Sequence, residues 1–188
     1  MGLIEEIKKF VPWNEQEKRD KAEFLRRLES GEELFTRKNA SAHITASAWV
    51  VNRDRTKVLM AYHNLYDSWA WLGGHADGEK DLLNVAKKEV QEESGLMGLN
   101  AVSSDIYSLE ILTVDGHEKK GEYVSSHLHL NVTYLLEADD SLPVRCKPDE
   151  NSRVAWFAPE DAVKSSSEPW FRERIYKKLN AKMSVRKS

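Results

Sequence analysis

Apolar positions along the chain change period near residue 40. Before it they recur at helical spacing. Leu3, Ile4, Ile7 and Phe10 share one face, and Pro12 ends that segment. Asn14, with Glu17 three residues later, has the spacing of a capping box. Phe24, Leu25 and Leu28 continue the stripe, and Gly31 follows as a helix-ending residue. This predicts an N-terminal helical extension that packs on a core without being a domain itself. After residue 40 the pattern turns to strands. HITASAWVV (43–51) and KVLMAYH (57–63) flank the turn Asn52-Arg53-Asp54-Arg55 and read as a hairpin. Residues 69–72 read as a short strand, 80–94 as an amphipathic helix ending at Gly95, and 106–114 and 127–137 as strands around a polar loop. A short strand (154–157), a helical turn (159–163) and a final helix (168–183) complete the chain. Strands in a row with isolated helices indicate α+β, an α/β/α sandwich, not a regular βαβ array.

The 188 residues suffice for one domain with a small appendage. Lys plus Arg is 28 against 31 Asp plus Glu, a net charge of −3, which gives no global basic excess for nucleic acid or an anionic membrane. The single cysteine, Cys146, excludes an internal disulfide and a cysteine-based zinc site. No apolar run reaches the roughly 20 residues a membrane helix needs. Met1-Gly2-Leu3-Ile4-Glu5-Glu6 lacks the cationic and apolar regions of a signal peptide. The expectation is a soluble, cytoplasmic protein.

The stretch richest in chemistry is GGHADGEKDLLNVAKKEVQEESGL, residues 73–96. On a helical wheel Glu89, Glu92 and Glu93 fall within an arc of about 100°, beside the apolar arc of Leu82, Ala86 and Val90. Close carboxylates at the edge of a buried face repel one another and lose hydration, and an oxygen-preferring divalent cation relieves both costs. Mg²⁺ or Mn²⁺ fits, and Mg²⁺ commonly brings substrate phosphate with it. Glu89, Glu92 and Glu93 are therefore the candidate metal ligands. On an arbitrary helix such a cluster is a solvated face, with Lys88 and Glu92 as an ordinary i,i+4 pair. Here Gly73-Gly74 and Gly78 precede the helix. They predict a tight loop whose backbone approaches a metal–phosphate unit closely.

These residues resemble the Nudix box, G-x5-E-x7-R-E-U-x-E-E-x-G-U with U aliphatic. Gly74 matches the first glycine, and Glu89-Val90, Glu92-Glu93 and Gly95-Leu96 match the end. Two positions depart. Lys80 stands at the first Glu, with Glu79 one residue earlier, and Lys88 stands at the Arg. The strand order and the run Glu150…Trp156-Phe157 before Pro159 extend the resemblance over about residues 40–165. The chain is thus similar to the Nudix hydrolase superfamily (MutT-like), with residues 1–38 as helical extension and 39–188 as the Nudix domain. The resemblance implies a mixed sheet between helices with the box as loop–helix–loop. It implies Mg²⁺- or Mn²⁺-dependent hydrolysis of a nucleotide-derived diphosphate substrate, and dimerisation is common in that fold. By carry-over Glu89 and Glu93 are the main metal ligands and Glu92 assists. Gly73 and Gly74 offer backbone at metal and phosphate, Lys88 orients the carboxylates, and Glu79 holds that orienting charge rather than only capping the helix. Two other readings are an isopentenyl-diphosphate isomerase-like enzyme, for which Cys146 lies far from the box, and a catalytically silent nucleotide-binding module.

Outside the box, His127 and His129 share one strand face and are candidates for phosphate, metal or structural hydrogen bonding. His75 points at the site or caps the loop. Glu118, Glu122 and Glu150 are candidate general bases. Tyr62, Tyr66 and Trp49 are candidates to stack on a base, although strand tryptophans usually pack in cores.

Overall fold

The computed structural model describes residues 2–119 and 121–185. Met1, Lys120 and residues 186–188, which fall in the extension, the polar loop and the end of the 39–188 range, lie outside the described residues. Helices α1 (Leu3–Lys9) and α2 (Glu15–Glu29) open the chain. The first strands are β1 (Ala42–Asn52), β2 (Val58–His63), β3 (Ser68–Ala70) and β4 (Leu72–His75), and α3 (Leu82–Ser94) follows. Next come β5 (Asn100–Ala101), β6 (Ser108–Val114), β7 (His117–Lys119), β8 (Glu122–Val124), β9 (His127–Ala138) and β10 (Asn151–Phe157). Helix α4 (Pro159–Ser165), a π-helical stretch (Phe171–Tyr176) and α5 (Lys177–Val185) close it.

Eight strands form one mixed sheet in the order β10-β2-β1-β9-β5, with β3 on β2, β4 on β1 and β6 on β9. Its spine is the parallel pair β1–β9, in register from Ala42↔Leu128 to Asn52↔Ala138. Both strands are buried, as parallel central strands are. The even residues Ile44, Ala46, Ala48 and Val50 join Leu82, Val85, Ala86 and Val90 of α3 in one core, together with Ile7, Phe10 and Phe24 of the N-terminal helices. Trp49, Val51, Tyr107 and Leu135 face Ala162, Ile175, Tyr176 and Leu179 in a second core. The mixed sheet lies between helical layers, as the α+β reading expected.

Three local differences have physical causes. Residues 72–75 extend as β4 because β1 offers them an antiparallel partner, Ala46↔Gly74 and Ser47↔Gly73. The glycine pair is therefore strand, not loop. The polar segment after β6 pairs with itself as the small β7–β8 hairpin, with Glu118↔Tyr123. The predicted last helix begins as π-helix, and its buried Tyr176 stacks on Trp49 with ring centroids 5.3 Å apart.

Candidate active site

The box helix starts two residues later than the sequence pattern suggested, at Leu82. Asp81 is its cap, accepting a hydrogen bond from the Asn84 amide at 3.0 Å. Gly95 ends it in the left-handed conformation, φ 72°, which glycine adopts at least cost. Between these ends the three glutamates are graded in depth. Glu92 is exposed, Glu89 half-buried and Glu93 buried. The Gly73 amide donates to Glu93 Oε1 at 3.1 Å. Gly74 lies directly against Glu89, where a Cβ would sit 2.6 Å from Oε1 and 2.7 Å from Oε2. At Gly73 a Cβ would meet the Ala46 carbonyl oxygen at 2.6 Å. Neither glycine has positive φ. Close approach between strand and helix is what requires them, not turn geometry.

The electrostatics follow from this packing. Burial pushes the Glu93 carboxyl up to about 8, the Gly73 amide opposes the rise, and the charges of Glu89 and Glu150 add to it. Burial likewise raises Glu89, with Glu92 and Glu150 contributing. An oxygen-rich set whose members resist ionisation together suits a divalent cation. Donor type, burial and the glycine cradle fit an oxygen-preferring divalent cation such as Mg²⁺ or Mn²⁺, and Glu89, Glu92, Glu93 and the Gly74 backbone are the groups that could hold one.

A residue absent from the sequence-based reading joins this set. Lys147 lies 3.3 Å from Glu92 and 2.9 Å from Glu150. Burial opposes its charge, but Glu150 and Glu92 outweigh burial and raise its pKa. The segment is fastened to the end of α3. Asn151 Nδ2 donates to the Glu93 carbonyl at 3.0 Å, and the Asn151 side chain accepts from the Lys147 amide at 3.0 Å. Only long-range pairing of β10 with β2 brings residues 147–151 here, so no local pattern announces them. Lys88 is largely exposed and sits 3.5 Å from Glu92. Glu79 is exposed, and its Oε1 accepts from the amides of Lys80 (2.7 Å) and Asp81 (2.9 Å). Among the described residues its hydrogen bonds thus remain at the start of the helix.

Four histidines gather at the same end of the sheet. His43 of β1 and His129 of β9 are register partners, and His75 continues β4 directly after Gly74. Centroids of His43 lie 5.0, 4.8 and 5.0 Å from those of His75, His127 and His129. Burial, then the neighbouring His75, His43 and His127, hold His129 down to about 2. Burial also lowers His43. Of the stacking candidates, Trp49 is fully buried, while Tyr62 is covered by Arg153, whose guanidinium carbon lies 4.1 Å from the ring centroid. Tyr66 packs beside His63 with centroids 4.6 Å apart.

A profile of the NUDIX domain matches residues 41–179. The chain belongs to the NUDIX domain family. Several solved structures share its fold. An Ap4A hydrolase from C. elegans is 20% identical, with a TM-score of 0.54 over 76% of this chain and 95% of that one. A dihydroneopterin triphosphate pyrophosphohydrolase from E. coli is 14% identical, TM-score 0.52, over 79% and 99%. A NUDIX-family hydrolase from Clostridium perfringens is 20% identical, TM-score 0.50, over 76% and 97%. At such identities the likeness concerns the fold. No curated protein matches the chain in sequence. Among the described residues no helix is long and apolar enough to cross a membrane.

Proposed function

We propose that this NUDIX protein hydrolyses a diphosphate linkage in a small, nucleotide-derived substrate, with Mg²⁺ or Mn²⁺ held by Glu89, Glu92, Glu93 and the Gly74 backbone. The observation that carries the proposal is the glutamate pair pressed against Gly73-Gly74. One carboxylate is anchored by the Gly73 amide, and the other lies where any side chain at residue 74 would displace it. When bound, the cation supplies charge neutralisation for the diphosphate and a water of lowered pKa. The chain's own residues do the rest. Glu89 and Glu93 fix the geometry because strand and helix hold them rigidly. Glu92, nearer solvent, completes the set while paired with Lys147. Of the three candidate bases, Glu150 is the one whose charge acts on both Glu89 and Glu93. Its carboxylate is the proposed acceptor of the attacking water's proton. Lys147 holds Glu150 and Glu92 together and orients them. The sequence-based expectation gave an orienting role to Lys88, whose exposed ammonium pairs with Glu92 and whose charge also favours the ionised form of Glu89.

The proteins named above give the first compounds to try: a dinucleoside polyphosphate, a pterin triphosphate and nucleoside diphosphate conjugates. Each is incubated with the chain and Mg²⁺, and phosphorylated products are resolved by chromatography. Hydrolysis that disappears on chelation supports the proposal. Tight binding of one compound with no turnover under any divalent cation would identify a silent binding module instead.

A further inference from the structure

The histidine group at the end of β1, β4 and β9 is not needed for the chemistry above. It has features of its own. His43, His75 and His129 each offer a ring nitrogen within 4.8 Å of those of the other two. His127 Nε2 lies 3.2 Å from His129 Nε2. Four imidazoles from three strands therefore converge on one small volume. In a tetrahedral site with metal–nitrogen bonds of 2.0–2.1 Å, neighbouring ligand nitrogens stand about 3.3 Å apart. The His127–His129 gap already has that value. Gaps as wide as 4.8 Å must narrow by about 1.5 Å, which small ring rotations supply.

Hydrogen bonding sets two rings for ligation. The far nitrogen of His43, Nδ1, lies 3.2 Å from the Asn39 carbonyl oxygen. That of His127 lies 2.8 Å from the Ser125 carbonyl oxygen. A carbonyl only accepts, so each Nδ1 carries the proton and each Nε2 keeps its lone pair; that of His127 accepts from His129 Nε2–H at 3.2 Å, a proton that a metal ion would displace. Metal-ligating histidines are commonly held this way, with the other ring nitrogen donating to a carbonyl. His43 is 5% exposed, and among the described residues its buried Nε2 has no hydrogen-bond partner. Such an orphaned acceptor costs stability unless something fills its lone pair. The Nε2 lone pairs turned into the group are donors for a cation, not for an anion.

We propose that His43, His75 and His129, with His127 as the fourth imidazole, form a nitrogen-donor site for a borderline transition metal ion such as Zn²⁺. It is separate from the oxygen-donor site of the glutamates. Ligand chemistry keeps the two apart. Mg²⁺ prefers carboxylates and water, whereas imidazoles select Zn²⁺, Co²⁺ or Ni²⁺. An ion there ties β4 to β1 and β9 one residue beyond Gly74, and so stiffens the strand that carries the glycine pair.

The test uses the full chain saturated with Mg²⁺ and titrated with Co²⁺, whose tetrahedral complexes absorb strongly in the visible. The expected result is a visible band that saturates at one Co²⁺ per chain and is bleached by Zn²⁺. His75→Gln and His129→Gln should each weaken Co²⁺ binding tenfold or more, with circular dichroism showing that the fold is kept. Glu93→Gln should leave the band intact, so this outcome does not depend on whether the glutamate site hydrolyses anything. Zn²⁺ should raise Tm in the wild type and not in His75→Gln. Absence of a visible band, or a band lost in Glu93→Gln and retained in both histidine variants, would overturn the proposal. So would histidine variants that only raise KM for a diphosphate substrate, which would assign the rings to phosphate.

Discussion

Glu93 shows how one residue couples packing to chemistry. Its carboxyl is raised by burial to about 8 in the metal-free chain, from an ordinary 4.5. A raised carboxyl contributes stability fully below its unfolded value and loses it as pH climbs through its folded value. The metal-free protein should therefore lose stability between about pH 4.5 and 8. A cation must displace that proton, so Mn²⁺ binding at pH 7 should release close to one proton per site, and none well above pH 8. Calorimetry in two buffers of different ionisation heat measures this directly. No proton release at pH 7 would mean that Glu93 is already ionised or lies outside the site. Glu79 gives a contrasting case. Its carboxylate serves amides at the start of α3, so Glu79→Gln should cost about 0.3–1 kcal/mol of stability and leave kcat nearly unchanged. A fall of tenfold or more in kcat would restore the role expected from sequence, in which Glu79 holds an orienting charge. The spacing of Glu89, Glu92 and Glu93 made their shared face legible in the chain, because helix geometry is local. Lys147 was not legible. Its role exists only because β10 returns to β2 and fastens residues 147–151 to the end of α3.

At the scale of elements, β4 and α3 act as one unit. The sequence signalled both, through the glycine pair and the capped amphipathic run, but not how they meet. The expectation of a glycine loop failed because β1 has an open hydrogen-bonding edge that residues 72–75 complete. The glycines matter for what they lack. A methyl group at residue 74 would have to occupy the place of the Glu89 carboxylate. Gly74→Ala should therefore weaken Mn²⁺ binding about 10–100-fold, the range for disturbing a group that orients a ligand, while the sheet persists. Mn²⁺ titration followed by electron paramagnetic resonance, with circular dichroism as the folding control, tests this. Unchanged affinity would show that Glu89 does not ligate.

Across the whole molecule, a buried ion network links the first and last helices through the sheet. Glu17 of α2 lies 2.7 Å from Lys182 and 3.4 Å from Lys178, and Lys178 lies 2.9 Å from Glu110 of β6. Glu110 in turn accepts from Asn131 of β9 at 3.1 Å, and Asn131 accepts from Thr45 and Ser47 of β1. Periodicity marked Glu17 only as part of a capping box. In the folded chain Asn14 does cap α2, accepting from the Glu17 amide at 2.9 Å, while the Glu17 carboxylate accepts from the Trp13 amide and neutralises two lysines more than 160 residues away, a pairing no local pattern contains. Burial raises the Glu17 carboxyl, but the lysines outweigh it and the net shift is downward. Its stabilising effect is present above pH 4.5 and lost as pH falls through the lower folded value. Glu17→Gln should cost about 3–5 kcal/mol at pH 7, because it strands buried charge, and should flatten the acid side of the stability profile. Denaturation at pH 7 and pH 3 measures both effects. An equal wild-type advantage at the two pH values would contradict the sign. This network ties the N-terminal helices to the NUDIX domain, whose glutamates and glycine strand carry the central claim. That claim is tested most directly by phosphorus NMR of a nucleoside diphosphate conjugate incubated with Mg²⁺ and either wild type or Glu93→Gln. The account predicts that the diphosphate signal is replaced by monophosphate signals with wild type alone, at least a hundredfold faster than with the folded variant. Equal rates in the two would contradict it.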